Sequence, residues 1–139
     1  MPMSILIADD AKCPCFSGKT YRECCQPYLQ GDKSPESPLS LLRSRNAAYA
    51  SGNIEYIERT MRDKALLSFN PNYTRKFTQN FDCIALEIIH SKVGSLQALI
   101  EYKAVFKNKN TTEIESLHQY GFFNRVCELW YYTNEHVVD

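Results

Sequence analysis

The sequence lacks an excess of charge of either sign. Its sixteen lysine and arginine side chains balance sixteen aspartate and glutamate side chains, so the formal net charge at pH 7 is zero. Proteins that bind nucleic acid usually carry a basic excess that neutralises phosphates. The composition therefore argues against nucleic acid as the partner of this chain.

The sequence also lacks a long apolar run. No stretch approaches the ~20 apolar residues of a membrane-spanning helix, and neither a polybasic nor a lipidation signal is present. Residues 1–10 have no basic flank and only a short apolar stretch, which does not fit a secretory signal. We therefore expect a soluble, cytoplasmic protein whose cysteines stay reduced.

Cysteine, in contrast, is concentrated near the start of the chain. Four of the six cysteines fall within thirteen residues, namely Cys13, Cys15, Cys24 and Cys25. Two pairs of soft ligands joined by a short loop suit one tetrahedral Zn²⁺ ion, because local backbone geometry can aim both pairs at one point. Gly18 in the loop can take the positive φ of a tight turn. We predict a closed zinc knuckle, with a helical turn over 21–25 that Pro27 ends.

Other roles for these cysteines fit less well. A reduced compartment argues against disulfides, and merely buried cysteines have no reason to cluster in a polar segment. Four thiolates would close the tetrahedron around one structural Zn²⁺ ion. Adjacent side chains diverge on a helix, so Cys24 and Cys25 can share a metal only if the backbone bends locally. A site of three thiolates and a water molecule is the alternative.

The cysteine segment resembles a known zinc motif. Residues 13–25 are similar to the SEC-C motif, which closes the C-terminus of the SecA translocation ATPase and occurs in many small bacterial proteins. Its usual glycine after the second cysteine is Phe16 here. The resemblance continues in Gln26-Pro27-Tyr28-Leu29-Gln30-Gly31 and Leu42-Arg43-Ser44-Arg45-Asn46-Ala47-Ala48-Tyr49, which look like the uncharacterised YchJ-like family.

This resemblance carries expectations about fold and partners. In the YchJ-like family a SEC-C finger precedes a nuclear-transport-factor-2-like cone domain. The similar finger of SecA implies, by analogy, a protein partner such as an export chaperone or the ribosome. The cone implies a cavity that can hold a small ligand.

The domain boundary is predicted at a polar, turn-rich segment. Residues 31–36 contain glycine, proline and four polar or charged residues, which is typical of a hinge. We therefore predict a zinc-binding segment with its hinge over 1–36 and an α+β domain over 37–139. The chain of 139 residues is long enough for one proper core. Because the cone has its own core, we expect finger and cone to unfold in separate transitions.

Helices are predicted first. Ser37 and Pro38 are typical of an N-cap and a first helical position, and Gly52 ends the helix that they begin. Asn53 can cap a second helix that ends near 61–62. Residues 63–80 are ambiguous, with a turn at Asn70-Pro71-Asn72 and a third short helix over 74–80.

The second half of the chain predicts an antiparallel sheet. Apolar residues alternate with polar ones from Leu96 to Phe106, which indicates a half-buried strand. We predict strands over 83–91, 96–107, 112–123 and 127–133, with turns at 92–94, 107–110 and 124–125. The fold class is therefore α+β: a short N-terminal zinc knuckle followed by a cone of helices packed on a curved antiparallel sheet.

The strands offer one candidate catalytic group. His118 lies among aromatic residues and would act with a carboxylate, Glu87 or Glu101, as a general base in a pocket. A histidine that hydrogen-bonds a backbone carbonyl at the core or rim is the plainer interpretation. The stretch Leu117-His118-Gln119 also resembles a Leu-His-Glu stretch of the family, and its last residue is Gln119 instead of the usual glutamate.

Two functions follow. The favoured one is a zinc-binding SEC-C protein that serves as a protein-interaction or small-ligand-binding module without enzymatic activity. The alternative is a small cone-fold enzyme, an isomerase or hydratase that uses His118.

Of the two arginines in the family-like helix, Arg43 and Arg45, at least one should support the finger, since they point about 200° apart. Cys83 and Cys127 are expected in the core of the strands.

Overall fold

The computed structural model of the protein describes residues 6–138. The first five residues of the predicted 1–36 segment lie outside the described residues, and so does residue 139 of the predicted 37–139 domain. The prediction that residues 1–10 carry no secretory signal also falls partly outside them. No helix within 6–138 combines the length and the apolar character that crossing a membrane requires.

The described residues form five helices and then four strands. The helices are α1 (Gln26–Leu29), α2 (Pro38–Ser51), α3 (Ile54–Arg59), α4 (Asp63–Leu67) and α5 (Pro71–Asn80). The strands are β1 (Phe81–Val93), β2 (Gln97–Asn108), β3 (Ile114–Val126) and β4 (Leu129–Val137). The predicted order of helices before strands is confirmed.

The predicted caps set the bounds of the two main helices. The Ser37 hydroxyl accepts a hydrogen bond from the Ser40 backbone N–H at 3.0 Å, and Pro38 occupies the first turn of α2. Gly52 ends α2 with φ of 75°, a conformation that glycine adopts without a Cβ clash. The Asn53 side chain accepts from the Tyr56 N–H at 3.1 Å and begins α3.

The ambiguous segment forms two helices. Helix α4 occupies part of it, and α5 begins at Pro71, three residues before the predicted start. The side chain of Asn70 accepts hydrogen bonds from the backbone N–H groups of Asn72 and Tyr73. The predicted turn is therefore the capped first turn of a helix, which proline tolerates at that position.

The four strands form one antiparallel sheet in the order β1-β2-β3-β4. The register shifts at Cys83/Ala85 and at Ile88/His90 in the pairing of β1 with β2, and at Phe122/Phe123 in the pairing of β3 with β4. Such irregularities bend a sheet and increase its twist. The curved antiparallel sheet that the sequence predicts is confirmed.

The turn between β3 and β4 differs from the prediction. Asn124 and Arg125 lie within β3, where they pair with Tyr131 and Trp130. The chain turns instead at Cys127 and Glu128, whose φ angles of 50° and 68° match the two-residue turn that joins twisted strands. The expectation that Cys127 is a core residue is therefore wrong, because its side chain is exposed in this turn.

The core lies between α2 and the inner face of the sheet. On β2 the alternation is confirmed, since alternate apolar residues are buried: Ala98, Ile100, Tyr102 and Ala104. Leu96 precedes the strand and is exposed. Helix α2 contributes Leu41, Leu42, Ala47 and Ala48, and the same core cluster includes three of the four clustered cysteines, Cys13, Cys15 and Cys25.

Candidate functional site

Two antiparallel arms form the knuckle that carries the clustered cysteines. Lys12 and Thr20 pair as an isolated bridge, and the Cys13 N–H donates to the Lys19 carbonyl at 2.8 Å. The loop at the tip contains two residues with positive φ, 64° at Phe16 and 90° at Gly18. The role predicted for Gly18 is confirmed.

The second cysteine pair lies on a series of tight turns. The N–H groups of Cys24 and Gln26 both donate to the Tyr21 carbonyl, at 3.1 and 3.0 Å. Helix α1 starts after Cys25 and includes Pro27 in its first turn. The prediction that Pro27 ends a helical turn is therefore wrong. The turns supply the local bend that a shared metal requires, because the Sγ atoms of Cys24 and Cys25 lie 3.7 Å apart.

The structure brings all four sulfur atoms together. The Sγ atoms of Cys13, Cys15, Cys24 and Cys25 all lie within 4.8 Å of one another, and those of Cys15 and Cys24 are 3.4 Å apart. Tetrahedral coordination with Zn–S bonds of about 2.3 Å would place the sulfur atoms about 3.8 Å apart. Four soft sulfur donors at this spacing fit a tetrahedral metal ion.

Hydrogen bonds within the cluster distinguish the four thiols. Bonds from Cys13 and then from Cys25 hold the pKa of the Cys15 thiol far below its usual range. Hydrogen bonding to Cys13 and Cys15, together with burial, raises the pKa of Cys25. The Ser17 hydroxyl lies 3.2 Å from the Cys24 sulfur and can donate to a thiolate there. The neighbouring thiols therefore favour the thiolate form of Cys15.

Side chains of helix α2 hold the knuckle by hydrogen bonds to backbone carbonyls of the knuckle. The Arg43 guanidinium donates from Nη1 to the Cys15 carbonyl at 2.9 Å, and the Asn46 amide donates to the Pro14 carbonyl at 2.9 Å. From α3, Arg59 donates to the Tyr28 carbonyl at 3.3 Å. Arg43 thus has the supporting role that the sequence predicts for one of the two arginines.

A cavity of about 290 Å³ opens between the helices and the inner face of the sheet. Apolar surface makes up most of its wall, and six of the lining residues have wholly apolar side chains: Leu42, Phe77, Leu86, Ala104, Phe106 and Leu117. Polar side chains also reach it, among them Arg45, Asn46, Gln119 and Glu135. An apolar cavity with a few polar groups has the character of a small-molecule site.

A buried polar network lies on one side of this cavity. The Gln119 Nε2 donates to the Tyr102 hydroxyl and, at 3.2 Å, to the Tyr132 hydroxyl. The two tyrosine hydroxyls are 3.1 Å apart. Among the described residues the Gln119 Oε1 has no hydrogen-bond partner, although it is buried.

Gln119 is a buried residue of the inner face that the sequence did not lead us to expect. The available signal was the series Leu117, Gln119, Gly121 and Phe123, in which every second residue faces the core. Gly121 permits close packing there, since a Cβ at that position would lie 2.9 Å from the Tyr132 ring. Because Gln119 is polar, it interrupts the apolar alternation that would otherwise mark the inner face of β3.

Arg45 extends into the same region from α2. Its Nη1 donates to the Ile57 carbonyl at 2.8 Å and to the Thr60 hydroxyl at 2.7 Å. Its guanidinium carbon lies 4.5 Å from the centre of the Tyr132 ring. No carboxylate between residues 6 and 138 lies within 4.0 Å of its side-chain nitrogens.

The predicted catalytic group lies elsewhere. The His118 Nε2 does meet the Glu101 carboxylate, at 2.7 Å, but both residues are on the sheet face opposite to Gln119 and Tyr102. Glu87 is exposed and pairs across the strands with Lys103. None of His118, Glu87 and Glu101 lines the cavity. The expectation that His118 lines a pocket is therefore wrong for this cavity, because alternation along β3 turns its side chain outward.

Comparison with known proteins identifies relatives of the whole arrangement. Residues 37–135 match the family model described as YchJ, middle NTF2-like domain. A UPF0225 protein of Serratia proteamaculans is 31% identical over 122 residues, which cover 86% of this chain and 79% of the relative. A UPF0225 protein of Yersinia pestis (strain Pestoides F) is 32% identical over 123 residues, with the same two coverages.

Solved structures agree with the sequence relatives. A SEC-C motif containing protein from Rhodopseudomonas palustris superposes with a TM-score of 0.82 at 31% identity, covering 91% of this chain and 98% of its own. A SEC-C motif containing protein from Psychrobacter arcticus has a TM-score of 0.76 at 22% identity, covering 94% and 85%. The second likeness concerns the fold alone.

Proposed function

The chain belongs to the YchJ-like family, with a SEC-C motif and a nuclear-transport-factor-2-like domain, and we propose that it is a zinc-stabilised module that binds a small ligand. One observation carries this proposal: helix α2 serves both sites. It holds the knuckle through Arg43 and lines the cavity through Leu42 and Arg45, and Asn46 takes part in both. The knuckle would therefore fix the helix that shapes the ligand site.

The proposed metal is one structural Zn²⁺ ion held by Cys13, Cys15, Cys24 and Cys25. When bound, it would supply folding free energy and cross-link the two arms of the knuckle. Four thiolates leave no open coordination position for a water molecule, which argues against a catalytic metal. Four thiolates and one Zn²⁺ ion would carry a combined charge of −4 + 2 = −2.

The ligand half of the proposal rests on the cavity. Its apolar wall and its few polar groups suit a small organic molecule better than a second protein chain. The isomerase or hydratase alternative gains no support from this cavity, because His118 lies on the other face of the sheet. A protein partner at the knuckle, by analogy with SecA, stays a separate prediction, and so does the cytoplasmic location.

The metal half is tested by elemental mass spectrometry on protein purified without a metal-affinity tag. We expect about one zinc per chain, and loss of that zinc in Cys15→Ser and Cys24→Ser. Cys127→Ser is the matched control, because this exposed cysteine lies in the β3–β4 turn and should leave the metal content unchanged. Stoichiometric zinc in both knuckle variants would show that the proposed ligand set is wrong.

The ligand half is tested by a fragment screen followed by NMR. Ala104→Leu adds bulk inside the cavity, whereas Val105→Leu adds bulk at the neighbouring position on the opposite face of β2. Fragments that bind the cavity should lose affinity with the first variant and keep it with the second. The proposal fails if no fragment binds, or if binding is insensitive to Ala104→Leu.

A further inference from the structure

Arg45 buries a positive charge beside the cavity. Its side chain is only 4% exposed, and its described partners, the Ile57 carbonyl, the Thr60 hydroxyl and the Tyr132 ring, are all neutral. The two hydrogen bonds of the guanidinium both use Nη1. A buried cation costs free energy unless an anion pairs with it. An anionic group in the cavity would provide that pair, and a carboxylate matches the planar guanidinium.

Gln119 lines the same cavity and carries a second unsatisfied group. The residue is 3% exposed, and its Nε2 is committed to the hydroxyls of Tyr102 and Tyr132. Its Oε1 is buried without a partner among the described residues. A buried acceptor without a hydrogen bond is costly, so a ligand that donates an O–H to this atom would gain affinity.

Tyr132 contacts both groups. Its ring packs on the Arg45 guanidinium at 4.5 Å, and its hydroxyl accepts from Gln119 at 3.2 Å. The Arg45 guanidinium therefore lies over the ring of this tyrosine, and the Gln119 amide lies beside its hydroxyl. A ligand about as long as a single substituted ring can reach both.

The wall of the cavity indicates the body of such a ligand. The Phe77 ring meets the Tyr49 ring edge-on at 6.2 Å and the Phe106 ring edge-on at 4.9 Å, and all three residues line the cavity. Aromatic walls of this kind favour a flat aromatic body. Glu135 also lines the cavity and would repel any ligand carboxylate that Arg45 does not pair with.

We propose that the cone cavity binds a small aromatic monocarboxylic acid that carries a hydroxyl group, with its carboxylate on Arg45 and its hydroxyl donating to Gln119 Oε1. The inference rests on the proposed ligand-binding function and adds the chemical class of the ligand. Arg45 would pair with the ligand carboxylate, and Gln119 would accept a hydrogen bond from the ligand hydroxyl. Glu135 would repel a second carboxylate on the ligand.

The first test is a titration of the zinc-loaded full chain with 4-hydroxybenzoate, followed by NMR. Its neutral counterpart 4-hydroxybenzamide lacks the charge and should bind at least about tenfold more weakly, as expected for a charged hydrogen bond. Benzoate lacks the hydroxyl and should bind about threefold to tenfold more weakly. Terephthalate carries a second carboxylate and should not bind measurably.

The second test uses variants that leave Arg45 in place, because its removal would also break the bonds to α3. Gln119→Glu keeps the size of the side chain and adds a carboxylate to the cavity. It should weaken 4-hydroxybenzoate by about tenfold or more through charge repulsion, and 4-hydroxybenzamide much less. Gln119→Met removes the acceptor and should abolish the preference for 4-hydroxybenzoate over benzoate. Glu87→Gln on the exposed face is the control and should change no affinity.

The outcomes separate this inference from the proposed function. If the acid binds no better than the amide, or if Gln119→Glu weakens both equally, the inference is overturned. It is also overturned if none of the four probes binds. Neutral fragments that bind in an Ala104-dependent manner would still support a ligand-binding module in each of these cases.

Discussion

The Arg43 guanidinium donates a hydrogen bond to the Cys15 carbonyl oxygen at 2.9 Å. This bond joins the backbone of the cysteine knuckle to the longest helix of the cone, and Asn46 repeats the connection at Pro14. The knuckle also shares its buried cysteines with the core cluster of the cone. Contacts of this kind couple the stability of the two parts.

Removal of the proposed zinc ion should therefore destabilise the whole chain. The sequence led us to expect two unfolding transitions, whereas the docked knuckle favours one. Trp130, the single tryptophan, reports on the cone by fluorescence, and a zinc-sensitive dye reports release from the knuckle. The two signals should change together on heating, and a chelator should lower the Tm of both. A Trp130 transition that is unaffected by the chelator would contradict the coupling.

Arg43→Ala should loosen the knuckle without removing a metal ligand. Loss of this charge-assisted hydrogen bond should lower the free energy of unfolding by about 1–2 kcal/mol and speed zinc transfer to a competing chelator. Arg75→Ala is the matched control, since Arg75 bonds to Asn72 on the surface of α5. Urea unfolding measures the first effect and dye kinetics the second. Equal behaviour of the two variants would show that the Arg43 bond does not support the knuckle.

Phe16 occupies a backbone conformation that favours glycine. Its φ of 64° costs a residue with a Cβ about 1–2 kcal/mol, and its side chain is 41% exposed. Phe16→Gly relieves the strain, whereas Phe16→Ala removes the same ring and keeps the Cβ. The zinc-loaded glycine variant should therefore be more stable than the alanine variant by about 1 kcal/mol in urea. An alanine variant at least as stable as the glycine variant would refute this account.

The two cysteines outside the knuckle should differ in reactivity. Burial, and then the charge of Asp82, raises the pKa of Cys83 from 9.0 to about 12, whereas Cys127 is exposed. Because the thiolate is the reactive form, a disulfide reagent at pH 8 should modify Cys127 quickly and Cys83 slowly. Cys127→Ser should remove the fast phase, and Cys83→Ser should retain it. A fast phase that disappears with Cys83→Ser would reverse the assignment.

The same shift has a consequence for stability in alkali. A thiol whose pKa is raised on folding stabilises the native state fully below its unfolded pKa. That contribution is lost as the pH rises from about 9 to about 12, because the unfolded state releases its proton first. Cys83→Ser should therefore unfold with a weaker dependence on pH than the parent chain over this interval.

The error at the last turn has a tertiary cause. Asn124 is an ordinary turn residue, and Cys127 and Glu128 are not typical of φ angles above zero. The chain nevertheless turns at Cys127 and Glu128, which brings Trp130 opposite Arg125 and buries its ring. Pairing and burial along the whole strand outweigh the preference of two residues at its end.

The placement of His118 shows the same limit. Both faces of β3 carry apolar and polar residues, so alternation alone does not say which face is buried. Pairing of Gln119 with Tyr102 decides it and puts His118 outside. A slip of one residue would exchange the two faces.

The sequence by itself determined the local features of this protein. The spacing of four cysteines, the caps at Ser37 and Asn53 and the alternation along β2 depend on neighbours in the chain. The tertiary structure alone decided that Arg43 reaches the knuckle and that Gln119 and Arg45 approach one tyrosine ring. Those contacts join residues far apart in sequence, and they depend on strand register and helix packing that no local pattern records.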